Sequence, residues 1–532
     1  MALPSHVASY ALLFQLLCPL LGAVLLAGLS SNRRRFHIAV AIHGLLAVVG
    51  GLLWFAVISQ ALNGTGGGVE VAWPIPSWGT GSSLANRVVW QIDLMTAGFV
   101  ALLPWVSLTA SLFTEPVEAR QQQISGNLLL VGALQFFAGG GDIGSCFAGL
   151  FASALLISLM IAWYGGEAKR SVAWMFLATQ WIGGLLVMGG LGMLIAAASL
   201  IRSAPRGVPG DASAAIPELA KILQEAFERH SAARELWGEF RGLPMLFIVV
   251  GFLLMSGCFP VHAWLTRSLL AAPLAVRVWI AAWVKGVMLI GLKFISQLDA
   301  QTIADLQGWG WTVALLGGLF MAGLLLVQAD FGRLLAAAIV WTQAVATISI
   351  CGATRDFERL LVPLLLSQMA ALILLTVALS ILPARCRSIE LGSYQGLWSR
   401  TGWIGPTLLV CLLLLTLTPA SAGLFQAWLG FASLQGWEKG WGLAAWVLNI
   451  LANGVALAGF VRIARQLVTG PLRLPEMSPG LRERVSSPPP EIDLTLSRAQ
   501  RWLLCVWAFI GLATAFLYPL FLMLPGPLAA AE

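Results

Sequence analysis

Fourteen apolar runs of about 20 residues recur from one end of this 532-residue chain to the other. They lie near 9–29, 36–60, 91–113, 125–141, 143–164, 172–200, 243–265, 273–296, 309–329, 334–352, 359–383, 403–432, 441–464 and 501–524. Each is long enough to cross ~30 Å of hydrocarbon, and in lipid every backbone N–H and C=O must find its partner inside the chain. With 58% hydrophobic and 10% charged residues, a soluble surface could not be covered. The reading is an all-α polytopic membrane protein. The first run has no basic flank or small-residue cleavage site, so it reads as a retained helix rather than a signal peptide.

Two of the runs break around a proline, and both breaks lead to the same tripeptide. Pro260 precedes Ala263-Trp264-Leu265, and Pro419 precedes Ala427-Trp428-Leu429. Proline removes a donor and frees a carbonyl that lipid cannot satisfy, so such breaks survive only against protein or water. Matching breaks in two halves point to an internal repeat and a transport path. Two further matches agree. Asp142 joins runs four and five as Asp330 joins nine and ten, and Val284-Lys285-Gly286-Val287 parallels Ala452-Asn453-Gly454-Val455. Spans 4–8 and 9–13 are then two five-helix units, inverted because five is odd. The expected organisation is 1–124 (helices 1–3), 125–298 (first repeat), 299–465 (second repeat), 466–500 (a polar loop) and 501–532 (the last helix). Residues 203–242 interrupt the first repeat; Ile216, Leu219, Ile222, Leu223, Ala226 and Phe227 share one face of an outer amphipathic helix. Ser486-Ser487-Pro488-Pro489-Pro490 stiffens the polar loop.

The net charge of +7 follows membrane topology. Arg33-Arg34-Arg35, Lys169-Arg170, Arg385, Arg387, Arg400 and the arginines of 462–501 share one side, which the positive-inside rule makes cytoplasmic; both termini then lie on the far face. These charges suit lipid headgroups, not nucleic acid. Seven cysteines (18, 146, 258, 351, 386, 411 and 505) form no CxxC pair and read as small buried apolar residues. The chain has no GxGxxG after a strand, no Walker loop and no HExxH, so the sequence points to no cofactor, no metal and no catalytic chemistry of its own.

The broken-helix pattern carries a family resemblance. Phe259-Pro260-Val261-His262-Ala263-Trp264-Leu265, with Ala272-Pro273-Leu274-Ala275-Val276 after it, resembles the stretch around broken helix seven of the antiporter-like membrane subunits of respiratory complex I. Val327 to Ala336, Ala422-Gly423-Leu424-Phe425 and Trp90-Gln91-Ile92-Asp93 resemble three more of their segments. Large Mrp antiporter subunits, membrane hydrogenase subunits and the membrane subunit of DAB-type inorganic-carbon pumps are related. The resemblance spans most of 9–465 and implies proton or cation translocation in a multi-subunit inner-membrane complex. The partners it implies are other membrane subunits and, among these assemblies, a soluble zinc-containing or redox partner.

The family moves protons through buried ionisable groups, and here those positions are neutral. Ala152, Met255, Ala282, Ser367, Ala371 and Ala427 stand where the resemblance places the glutamate, lysines and histidines of helices five, seven, eight, eleven and twelve. Lys285 remains, mid-span, one turn from the missing helix-eight histidine. A charge there costs at least ~3 kcal/mol on insertion scales, so it is either functional or paired for packing. His262, directly after the first break, could relay protons or simply satisfy the broken turn. Gln180, Thr179, Gln343, Gln368, Gln426 and Asn453 could line a hydrated path or act as hydrogen bonds between helices. Asp93, Asp142 and Asp330 lie near span ends and read as helix caps or headgroup-level residues. Two functions stay open: an ion-translocating subunit, and a transport-inactive paralogue kept as a docking platform.

Overall fold

A computed structural model describes residues 5–29, 32–62, 68–74, 87–114, 117–165, 168–202, 242–295, 300–351, 357–386, 388–399, 401–416, 441–471 and 494–516. They form α1 (Ser5–Gly28), α2 (Asn32–Leu62), β1 (Gly68–Pro74), β2 (Arg87–Asp93), α3 (Leu94–Leu112), α4 (Val117–Gly139), α5 (Ile143–Tyr164) and α6 (Lys169–Arg202). Then come α7 (Gly242–Ser256), α8 (Ala263–Ala271), α9 (Leu274–Ile295), α10 (Ala300–Val327), α11 (Phe331–Cys351) and α12 (Phe357–Cys386). The described chain closes with α13 (Ile404–Leu415), α14 (Trp441–Val468) and α15 (Arg498–Phe516). Among the described residues, eight helices are long and apolar enough to cross a membrane, and six more are shorter and apolar; together they fall on the fourteen runs. The helical membrane fold is therefore the one the apolar runs require.

One element departs from an all-helical reading. β1 and β2 pair antiparallel, Gly68 opposite Asp93 through Pro74 opposite Arg87. The run Val-Val-Trp-Gln-Ile-Asp carries β-branched and aromatic residues that suit a strand, but its length was hidden by the apolar run that follows. The hairpin hands the chain directly to α3, whose N-cap is Asp93; its Oδ1 accepts from the Thr96 N–H at 2.9 Å. Asp142 caps α5 in the same way through the Ser145 N–H at 2.8 Å, and Asp330 caps α11 through the Arg333 N–H at 3.0 Å. The two aspartates that parallel each other in the sequence thus each cap the helix that follows.

The core runs along α9, α11 and α12, where Trp279, Trp283, Lys285 and Trp341 are among the largest fully buried side chains. α1 and α2 lie at the rim with outward faces such as Val24, Val48 and Phe55 exposed, as lipid contact requires. The cysteines do not all fit the buried expectation. Cys146, Cys258 and Cys411 are buried, but Cys18 and Cys386 are only half-buried and Cys505 is exposed. A small, weakly polar thiol is tolerated facing lipid as well as protein. The outer segment 203–241, the second break at Pro419, and the loop residues Ser486 to Pro490 lie outside the described residues.

Candidate functional site

Span seven divides where Pro260 predicts. α7 ends at Ser256, the chain turns through Gly257 at φ +68°, and α8 begins at Ala263. Gly257 is needed twice over: its backbone is left-handed, and a Cβ would sit 3.1 Å from the Trp264 ring. The freed carbonyls are re-satisfied one by one. The Cys258 N–H reaches back to the Leu253 carbonyl at 3.1 Å, and Trp264 Nε1 donates to the Leu254 carbonyl at 2.9 Å. The tryptophan of the Ala-Trp-Leu motif therefore seals the break that precedes it. The Ser256 carbonyl would be bonded four residues on, but residue 260 is proline and has no N–H. A glutamine from another helix takes its place: Gln343 Nε2 on α11 lies 3.5 Å from that carbonyl and 3.0 Å from the Val284 carbonyl on α9.

Those two backbone acceptors fix the orientation of the Gln343 amide, so its Oε1 faces the other way. There it meets Lys285. Nζ donates to Gln343 Oε1 at 2.7 Å and to Gln368 Oε1, on α12, at 2.7 Å. The amine is 1% exposed, and Gln343 and Gln368 are 0% and 2% exposed. Cys258 lies within electrostatic reach of the amine, with its Sγ 3.2 Å from Ser256 Oγ and 3.8 Å from Thr347 Oγ1. Among the described residues no carboxylate pairs with Lys285. On the next residue of α9, a Cβ on Gly286 would stand 2.5 Å from Phe99 Cζ, so glycine lets α3 lie flat against the lysine's helix.

The site residues named from sequence separate into two groups. Lys285 and Gln368 converge, together with Gln343, and the Pro260 break reaches them through the Ser256 carbonyl. The others stand apart. His262 stacks on Phe259 with centroids 5.8 Å apart and makes no bond to Lys285 or to either glutamine. Gln180 ties α6 to α9 by accepting from Trp283 Nε1 at 3.1 Å. Thr179 donates back to the Met175 carbonyl of its own helix, at 2.7 Å. Asn453, 1% exposed on α14, has neither amide atom bonded among the described residues. Gln426, Pro419 and Ala427 lie outside the described residues.

The neutral positions differ in which way they face. Met255, Ala282, Ser367 and Ala371 are buried. Ala152, however, is exposed, because α5 turns its neighbour inward instead. That neighbour is Ser153, whose hydroxyl is spent on the Gly149 and Leu150 carbonyls at 2.6 and 3.0 Å. Nor did sequence reading give the inward-facing role of Cys258 or single out His43, a histidine within the second apolar run. An ionisable residue in such a run was itself the available signal.

Residues 151–452, the break and the Lys285 cluster included, match the family described as NADH:quinone oxidoreductase/Mrp antiporter, TM. The chain belongs to this family. Among curated relatives, NADH-quinone oxidoreductase subunit N of Cutibacterium acnes is 26% identical over 239 residues, covering 41% of this chain and 42% of that protein. The chain thus spans under half the length of that relative. Solved structures of the same fold cover nearly all of it. A chain of the Mrp complex from Dietzia sp. DQ12-45-1b superposes with a TM-score of 0.76 at 15% identity over 99% of this chain and 97% of that one. A chain of the archaeal membrane-bound sulfane sulfur reductase gives 0.74 at 15% over 98% and 99%. A chain of respiratory complex I from Thermus thermophilus gives 0.68 at 18% over 94% and 99%. At these identities the likeness establishes the fold.

Proposed function

We propose that this antiporter-family subunit moves protons or cations across a bacterial inner membrane as part of a multi-subunit energy-coupling complex, with Lys285 as the exchanging group. The observation that carries the reading is an amine buried at 1% exposure and held by two neutral amides rather than by an acid. A carboxylate would pin the ammonium. A neutral amine has two hydrogens, and the two Oε1 atoms accept both; the ammonium keeps the same two bonds and adds one hydrogen. Both protonation states can therefore occupy the same geometry, which a carrier needs and a structural ion pair lacks.

The driving reaction is assigned to a partner, since the solved chains this one resembles are parts of multi-subunit complexes. A complex I-like dehydrogenase with a redox partner, and a DAB-type pump that captures inorganic carbon on a zinc-containing soluble partner, are the assemblies this reading favours. Purification in gentle detergent should recover the chain with other subunits, and their identity names the reaction. An active monomer would contradict this. In vesicles carrying the intact complex, Lys285→Ala and Lys285→Arg should both abolish coupled transport while assembly persists, since guanidinium does not readily give up its proton. Wild-type flux in either variant removes Lys285 as the carrier.

A second reading, the docking platform, is favoured by the neutral residues at Met255, Ala282, Ser367 and Ala371. A wild-type complex that moves no ions would establish it.

A further inference from the structure

A second buried titratable group lies outside the Lys285 cluster. His43 is 1% exposed on α2, within the run Ile-Ala-Val-Ala-Ile-His-Gly-Leu-Leu. Its Nδ1 is 2.6 Å from the Ala39 carbonyl and its Nε2 is 2.5 Å from Ser107 Oγ on α3. A carbonyl only accepts, so Nδ1 carries a hydrogen. Nε2 of the neutral ring is then an acceptor, and the Ser107 hydroxyl donates to it. His43 sits eight residues beyond Arg35, roughly 12 Å along the helix axis and so inside the hydrocarbon.

Ser107 is what separates this arrangement from a histidine that merely fills space. A hydroxyl can donate or accept. When Nε2 takes a proton, the bond reverses: Nε2–H donates, Ser107 Oγ accepts, and the serine hydrogen turns to a carbonyl of its own helix one turn back. Two residues on, Thr109 already makes that bond, to the Trp105 carbonyl at 2.7 Å. In hydrogen-bond terms protonation then needs one hydroxyl rotation and strands no donor.

The surroundings are polar in a way hydrocarbon does not explain. Gln15 of α1 and Gln135 of α4 are 1% and 2% exposed, and none of their four amide heteroatoms is bonded among the described residues. Gln15 lies on the same α2–α3 seam, two turns along from His43: the Cβ position of Gly50 is 3.0 Å from Gln15 Nε2 and 3.0 Å from the Ala101 Cα. Buried amides of this kind call for water. On the other side, Ser111 of α3 accepts from Asn127 Nδ2 at 2.8 Å, and Asn127 Oδ1 accepts from Trp279 Nε1 at 2.9 Å on α9, the helix of Lys285. Of the helices packed on α2, α1 carries His6, Tyr10 and Cys18 as titratable groups, and among their described side chains α3 and α4 bring no charge to the seam. Arg34, Arg35 and His37 lie on α2 itself, toward its start.

We propose that His43 and Ser107 form a second proton-exchange site of this subunit, reached by water along the α1–α4 bundle and separate from the Lys285 cluster. That its proton serves flux rests on the transport reading; that it exchanges a proton does not.

The test uses the intact complex with ring-15N histidine. The chain has five histidines, and His43→Gln identifies the His43 signals. At alkaline pH the Nδ1–H tautomer is expected, with Nε2 gaining a proton on acidification. Ser107→Ala should shift that titration and Ser107→Thr should restore it. Flux per assembled complex should fall about tenfold or more in His43→Gln. An Nε2–H tautomer, a ring that never titrates, or flux per complex unchanged in His43→Gln each overturns the proposal. If the wild-type complex moves no protons, the transport reading fails by itself, and the ring titration still decides whether His43 exchanges.

Discussion

Gln343 takes the place of the donor that Pro260 lacks: its Nε2 reaches the Ser256 carbonyl, and the same side chain accepts from Lys285 Nζ at 2.7 Å. The helix break and the buried amine are therefore two ends of one amide. Gln343→Leu strips an acceptor from Lys285 and a donor from Ser256 and Val284 together. A loss of about 2–4 kcal/mol is expected, since each stranded buried group costs about 1–3 kcal/mol. Thermal unfolding in detergent measures it, and an unchanged midpoint would show that the amide bridges nothing.

Gln368→Glu asks the complementary question. It keeps an acceptor where the amide oxygen stood but supplies the carboxylate that Lys285 lacks. The ammonium should then be held charged by a close partner, as in any buried ion pair. Assembly should survive and flux in vesicles should fall about tenfold or more, because an exchanging group needs both states. Full flux with a carboxylate in place would mean that Lys285 does not cycle.

Trp264→Phe removes three ring atoms from the break, the indole N–H among them. Phenylalanine keeps an aromatic ring toward Phe176, whose centroid lies 5.4 Å from that of Trp264, but leaves the Leu254 carbonyl without its donor. About 1–2 kcal/mol should be lost, and Trp264→Ala, which also opens a cavity, should cost about 3–5 kcal/mol. Equal costs would mean that the bond contributes nothing beyond packing.

Much of this was legible in the chain because hydrocarbon leaves so few options. The apolar runs called for helices, and Pro260 marked a break in one, although Pro19, Pro104 and Pro363 stand inside helices that continue. Lys285 stood out because no bland residue is charged at mid-span. Its partners were not legible. Gln343 and Gln368 are 58 and 83 residues away, and a glutamine in a membrane helix looks the same whether it holds a lysine or merely another helix. Helix phase was lost too: one residue decides between the outward Ala152 and the inward Ser153, and no apolar pattern fixes that on a helix surrounded by lipid and protein alike. His43 shows the opposite failure. Its charge type was visible, but its meaning depends on Ser107, 64 residues on.

The orientation can be checked directly. Arg34, Lys169, Arg170 and Arg385 lie at helix ends that the antiparallel order of spans puts on one face, and the positive-inside rule makes that face cytoplasmic. A single cysteine at position 480, Gly480→Cys, in a variant whose seven native cysteines are replaced by alanine or serine, should be labelled only by a reagent that enters the cell. Labelling by an impermeant reagent from outside would invert the topology, and with it the side from which protons reach His43.

The contact between Gly286 and Phe99 offers a reciprocal test of how firmly the lysine's helix is held. Gly286→Ala places a methyl 2.5 Å from Phe99 Cζ, and Phe99 is 1% exposed with no open side to move into. Either α9 shifts away from α3 or the ring leaves its rotamer, at a cost of about 1–3 kcal/mol. Because Lys285 is the adjacent residue, such a shift should also lengthen its two bonds and lower flux. Phe99→Leu alone should cost about 1–2 kcal/mol by leaving a small cavity. Combined, the two changes should cost less than their sum, since the smaller side chain makes room for the methyl. Simple additivity in unfolding midpoints would show that α3 does not set the position of α9, and that the lysine is placed by its glutamines alone.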